Sequence, residues 1–186
     1  MEAAGSRDAK IRLSKAENDR LASFRNATHL QGTALAIIPT HTLAPFDASD
    51  PDDFRPNSKW TLLVDPARPD GAHVDNITLI FEEIAPGDRI PLHTHPIHEV
   101  LVVDDGTPEV TLGDEARVLG PGAVVFIPAG TPHRTRNAGD RPVRVHAMFP
   151  SEVIGIEYLE RNPAPGTEGE PPQRPASVDV RALAGP

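Results

Sequence analysis

Pro91-Leu92-His93-Thr94-His95-Pro96-Ile97-His98-Glu99 gathers three of the chain's eight histidines and a carboxylate into one short stretch. In an extended segment alternate side chains share a face. His93, His95 and Glu99 have one parity and can point together into a barrel, whereas His98 has the other and points away. Two imidazoles and a carboxylate converging on one point form a nitrogen–oxygen donor set suited to a first-row metal ion. A fourth ligand has to come from another strand, and His133 is the leading candidate.

Short apolar runs rich in branched and aromatic residues surround this stretch and read as strands: Ala34–Ile38, Trp60–Val64, Asn76–Glu82, Glu99–Val103, Glu109–Leu112, Ala116–Leu119, Ala123–Ile127, His133–Asn137, Val143–Phe149 and Val153–Tyr158. Turn signals separate them, among them Asp105-Gly106, Gly113-Asp114 and Gly120-Pro121-Gly122. Many short strands at even spacing predict an all-β sandwich or barrel. The pattern occurs once, which predicts one barrel over residues 34–160. Pro45 to Ser58 reads as a loop. Residues 1–33 read as an arm with a short helix over about 14–27, opened by the capping box Ser14-Lys15-Ala16-Glu17. Residues 161–186 form a Pro-rich tail. Its stretch Asn162–Ser177 is expected to be either disordered or an extended strap, and Val178–Leu183 is a candidate last docking segment.

Composition narrows the chemistry. No cysteine is present, which excludes disulfides, iron–sulfur clusters and thiolate zinc sites. The formal charge of −9 argues against a nucleic-acid partner. Met1–Leu30 is charged and lacks an apolar run, and no later stretch is long and apolar enough to span a bilayer, so neither a signal peptide nor a membrane partner is expected and a cytoplasmic protein is.

Two spacings carry a family resemblance. Gly87, His93, His95, Glu99 and Gly106 form the first; Gly122, Pro128, Gly130, His133 and Asn137 form the second. Both resemble the signature motifs of the cupin superfamily, with every signature position kept. The resemblance spans about residues 87–137 and implies a double-stranded β-helix, the jelly-roll barrel. It also implies one divalent metal held by His93, His95, Glu99 and His133, with Fe(II) the first expectation and Mn, Ni, Cu or Zn as alternatives. Three neutral imidazoles and one carboxylate would leave such an ion one net positive charge and, in six-coordinate geometry, two open positions.

The superfamily spans many reactions, so fold alone does not choose among them. Non-redox chemistry needs a protein acid or base in reach, and few are evident. Lysine occurs only at 10, 15 and 59, and the only tyrosine is Tyr158. Glu82, Glu83, His98, Arg144 and His146 remain. That scarcity tilts the reading towards a mononuclear non-haem dioxygenase resembling quercetin-dioxygenase-like cupins. In that reading Glu99 is both ligand and catalytic proton acceptor. A metal-dependent lyase or isomerase is the second reading, and a small-molecule-binding or sensing cupin without catalysis the third. Further site candidates are His98 and His146 near the ligands and Phe81 and Phe126 in the pocket, with Ile77, Leu79, Leu101 and Val103 as other wall residues. Asn137 reads as a turn holder. The expected partners are a small-molecule substrate and a second copy of the chain in a homodimer.

Overall fold

The computed structural model describes residues 41–46, 51–64 and 76–179. The expected N-terminal arm and helix, the strand at Ala34–Ile38, and His29 and His73 lie outside these residues, as does the tail beyond residue 179. Among the described residues there are twelve strands and no helix. They are β1 (Ala44–Pro45), β2 (Lys59–Val64), β3 (Thr78–Ile84), β4 (Arg89–Thr94), β5 (Glu99–Asp105), β6 (Glu109–Leu112), β7 (Glu115–Val118), β8 (Val124–Ile127), β9 (His133–Arg136), β10 (Val143–Phe149), β11 (Val153–Tyr158) and β12 (Ala176–Asp179).

Two six-stranded antiparallel sheets result. One runs β1-β2-β3-β10-β5-β8 and the other β12-β11-β4-β9-β6-β7. This is the all-β class expected from the strand spacing and the jelly roll implied by the family resemblance. Alternation along the strands explains the layering. On β10, Val143, Val145, Ala147 and Phe149 are buried while Arg144 and Met148 face solvent. On β5, Glu99, Leu101 and Val103 are buried in the same way. With Ile84, Val110 and Ile127, these apolar side chains make one contiguous core. Each fully buried one of this size contributes about 1.5–3 kcal/mol over its exposed state. One turn shows why its residue is glycine. Gly106 sits at φ 80°, and a Cβ there would lie 2.8 Å from Val143 Cγ2. The chain reverses between β5 and β6 too close to β10 for any side chain.

The proline-rich tail takes the second of its two expected forms. Arg161 ties it down, donating to the Asp52 carboxylate, to the Pro51 and Thr167 carbonyls (2.9 and 2.6 Å) and to that of Glu170 (2.8 Å). Its end becomes β12, paired with β11 through Val153↔Asp179 and Ile156↔Ala176. Residues 51–58 of the expected loop do more than connect. The Asp53↔Asn162 bridge and the Phe54 N–H donated to Asn162 O at 2.9 Å tie them to the tail.

Candidate metal centre

His93 is aimed by an irregularity in the β4–β9 ladder. Ile90 pairs with Thr135, yet the next pair is His93 with His133, so Pro91 and Leu92 oppose a single residue, Arg134. Proline has no N–H to give a ladder, which suits it to a bulge. The N–H of Leu92 is instead donated to Glu160 Oε1 at 3.0 Å. The bulge turns the two imidazoles towards each other, with ring centroids 4.1 Å apart.

His95 lies just past the end of β4, and Glu99 begins β5 in the opposing sheet. The strand-parity argument therefore selected the right residues for a partly wrong reason. The chain turns at Pro96–His98, and Glu99 meets the histidines from across the barrel. Gly155 of β11 secures that turn. A Cβ on it would lie 2.7 Å from Pro96 Cγ, and without one its carbonyl reaches His95 Nδ1 at 2.5 Å.

The four side chains are all buried, and their ligand atoms lie within 4.8 Å of one another. Each imidazole gives its Nδ1–H to a carbonyl: His93 to Pro91 at 2.6 Å, His95 to Gly155 at 2.5 Å and His133 to Thr131 at 2.9 Å. A carbonyl oxygen only accepts, so the tautomers are set and every Nε2 turns a lone pair inward. His93 Nε2 faces His95 Nε2 at 3.0 Å, and His133 Nε2 faces Glu99 Oε2 at 3.0 Å. Neither His133 Nε2 nor Glu99 Oε2 makes a well-formed hydrogen bond. A proton on His133 would relieve only the second pair. Burial first, then the neighbouring His133 and His95, pushes His93 well below its ordinary range; burial likewise lowers His95, against the pull of Glu99. Four converging acceptors without a donor fit a cation, and three nitrogens with one carboxylate oxygen fit a divalent transition ion. These residues can therefore hold a metal ion.

A cavity of about 320 Å³ opens onto the cluster. Its walls are mainly apolar and include Leu62, Ile80, Leu101, Phe149, Ile154 and Ile156. Of the wall residues expected from sequence, only Leu101 lines it. Phe81 has the opposite parity to Ile80 and Glu82 on β3, so it faces outward, covered by His41 and His146 at 4.9 Å between centroids. His146 pairs with Asp104 at 2.5 Å on the same outer face. Phe126 is 58% exposed, and His98 is exposed beside it, accepting the Ala129 N–H at 3.1 Å. None of these four reaches the cavity. Ile77 and Leu79 do not line it either, and Val103 belongs to the core. Asn137 holds a turn as expected, donating to the carbonyls of Ile84 and Arg141 and accepting from Gly139 N–H.

The cavity wall carries a second polar group, of which sequence reading had named only Glu82. Arg55 is 2% exposed, grips both oxygens of Asp53 at 2.7 Å and donates to Glu82 Oε2 at 2.8 Å. Its guanidinium stacks 3.6 Å over the Phe46 ring. Burial works against its charge, but Glu82 and Asp53 more than offset this and hold the proton more firmly than usual. Burial raises Glu82 above the ordinary carboxylate range; Arg55 opposes the rise, and the charges of Asp53 and Glu99 add to it. The only signal for Arg55 and Asp53 was an arginine and acidic residues within a proline-rich loop, which normally reads as solvated surface.

Residues 80–149 match the cupin domain model. This segment is a cupin domain. A region of 86 residues is 37% identical to quercetin 2,3-dioxygenase of Bacillus subtilis, covering 46% of this chain and 26% of that protein. Another of 64 residues is 45% identical to the dimethylsulfoniopropionate lyase DddQ of Ruegeria pomeroyi, covering 34% of this chain and 31% of the lyase. The chain thus matches under a third of either relative. The polyketide cyclase RemF of Streptomyces resistomycificus superposes with a TM-score of 0.57 at 22% identity, over 71% of this chain and 92% of RemF. That likeness speaks for the fold alone. No helix among the described residues is long and apolar enough to cross a membrane.

Proposed function

We propose that this cupin is a metal-dependent enzyme acting on a small, largely apolar organic molecule, and that its reaction is a mononuclear dioxygenation. The observation that carries the reading is the set of buried, donorless acceptors of His93, His95, Glu99 and His133 in a cavity whose walls are mainly apolar. A redox-capable divalent ion held there would supply Lewis acidity and electrons for dioxygen. The protein's own share is positioning and exclusion of water. Leu62, Ile80, Leu101 and Phe149 would pack against the apolar body of the substrate, leaving its oxygen head towards the histidines. Glu99, held among the imidazoles, balances part of the ion's charge. The similarity to the B. subtilis dioxygenase supports this reading.

One observation favours a second, non-redox reading as a lyase or isomerase. Glu82 lines the cavity, and so does Tyr158. The scarcity of acids and bases that weighed against such chemistry in the sequence is thus partly removed, and a lyase is among the relatives. Elemental analysis of protein purified without chelator tests the common part: a stoichiometric transition ion is expected. Oxygen uptake with a panel of catechols, flavonols and enolisable diketones then divides the readings. Turnover that stops under argon supports the dioxygenase; full turnover under argon overturns it in favour of the second reading.

A further inference from the structure

Asp53, Arg55 and Glu82 present one cation to two carboxylates. Asp53 already satisfies Arg55, since its two oxygens take the Nε–H and an Nη2–H at 2.7 Å. Glu82 gives only Oε2 to the guanidinium, at 2.8 Å. Among the described residues its Oε1 has no hydrogen-bond partner. Across the ladder, Glu82 pairs with Trp60 on one side and Val145 on the other, and both line the same cavity. Beyond Arg55 and Asp53, the titratable groups sharing this space are His93, His95, Glu99, His133 and Tyr158. A carboxylate with one oxygen clamped and the other free, lining the same cavity as the ligand cluster, is more than Arg55 requires for its own neutralisation.

We propose that Glu82 is the proton-transfer residue of the cavity, with Arg55 and Asp53 positioning it, and that the substrate is an organic acid of the hydroxyl or enol type. The inference rests on the metal-dependent reading above and adds the substrate class and the base to it. The substrate O–H bond breaks, a bond from Glu82 Oε1 to that proton forms, and the electron pair stays on the substrate oxygen, which becomes the anionic head facing the histidines. No oxidant is consumed in this step, so it serves either reading of the reaction. Asp53 is excluded as the base because Arg55 occupies both of its oxygens, and Glu99, the proton acceptor expected from the sequence, gives way to Glu82 because its carboxylate is committed to the ligand cluster. Two carboxylates with different tasks in one site follow from their different surroundings. Burial raises Glu82 above the ordinary carboxylate range against the pull of Arg55, and this favours its acting as a proton acceptor.

The test uses protein loaded with zinc, which cannot turn over by redox chemistry, and 4-nitrocatechol, whose dianion and monoanion differ in colour. Wild type is expected to bind the probe as the dianion near neutral pH, with Glu82 retaining the proton that free solution would otherwise receive. Glu82→Gln is expected to keep its zinc, to bind the probe as the monoanion and to lose affinity by about tenfold or more. Equal affinity and an unchanged dianion spectrum in Glu82→Gln overturn the proposal. Should that variant fail to fold, Glu82→Asp keeps the charge but draws the oxygen back by one methylene; loss of the dianion there supports the proposal, and its retention overturns it. Zinc analysis of wild type separates the two layers. Wild type without bound zinc removes the metal reading and the proposal with it, whereas zinc-replete protein with an indifferent Glu82 removes the proposal alone.

Discussion

Two buried polar clusters share one cavity and differ in how they balance. Around Arg55, donors meet acceptors: the guanidinium is matched by Asp53 and Glu82 and covered by Phe46. Around Glu99, acceptor meets acceptor, because three carbonyls have taken the imidazole protons and left only lone pairs inside. A cluster whose cation is matched can be part of the folded framework, as Arg55 is by both oxygens of Asp53. A cluster of one polarity calls for a partner of opposite charge, and this distinguishes a binding site from a structural network.

The largest expected effect lies on the balanced side. Arg55→Met leaves Asp53 and Glu82 buried without their cation and should cost about 3–5 kcal/mol in denaturant unfolding. A loss near zero would mean that the cluster is as free as the ligand set and would erase the contrast. The unbalanced side should respond to metal instead. With a transition ion at about 100 times its dissociation constant, stability should rise by about 2.7 kcal/mol and return to baseline with chelator. His93→Ala should abolish that gain while leaving the metal-free protein within about 1 kcal/mol of wild type, because it deletes an acceptor that had no donor. Calorimetry with and without the ion checks both.

A smaller effect is expected at Gly155. Gly155→Ala places a methyl 2.7 Å from Pro96 Cγ and should cost about 1–3 kcal/mol. It should also weaken metal binding by about 10–100-fold, through the displaced carbonyl that orients His95. The smallest and most diagnostic effect is pH dependence. His93 and His95 are lowered by burial below their ordinary 6.5, so the unfolded chain binds more protons than the folded one at mildly acidic pH. Stability of the metal-free protein should therefore fall as pH drops through about 6.5. Glu82 has the opposite sign. Its carboxyl is raised, so its burial penalty is absent at low pH and grows as pH rises above the ordinary carboxylate value. In Glu82→Gln the acid-side loss should persist and the opposing slope vanish.

Much of the ligand set could be read before any fold was known. His93, His95, Glu99 and His133 stand at fixed spacings from glycines and prolines whose turns are local events. β6, β10 and β11 also matched their expected bounds, because strict alternation is carried by near neighbours. The wall residues were less legible. Phe81 and Phe126 were assigned by hydrophobicity, yet which face of a strand turns inward depends on the sheet it joins, and both turn out. Arg55 and Asp53 were hidden for a related reason: a charged loop residue normally belongs to water, and only the ties of Asp52 to Arg161 and of Asp53 and Phe54 to Asn162 hold residues 52–55 against the cavity.

Local chemistry thus settled the donor types, the turns and the all-β class, since each rests on residues a few positions apart. The meeting of Glu99 with the histidines across two sheets, the reach of Gly155 to His95 over 60 positions and the pairing of Arg55 with Glu82 over 27 came from packing alone. Such contacts depend on how twelve strands stack, and no short window of sequence holds that information.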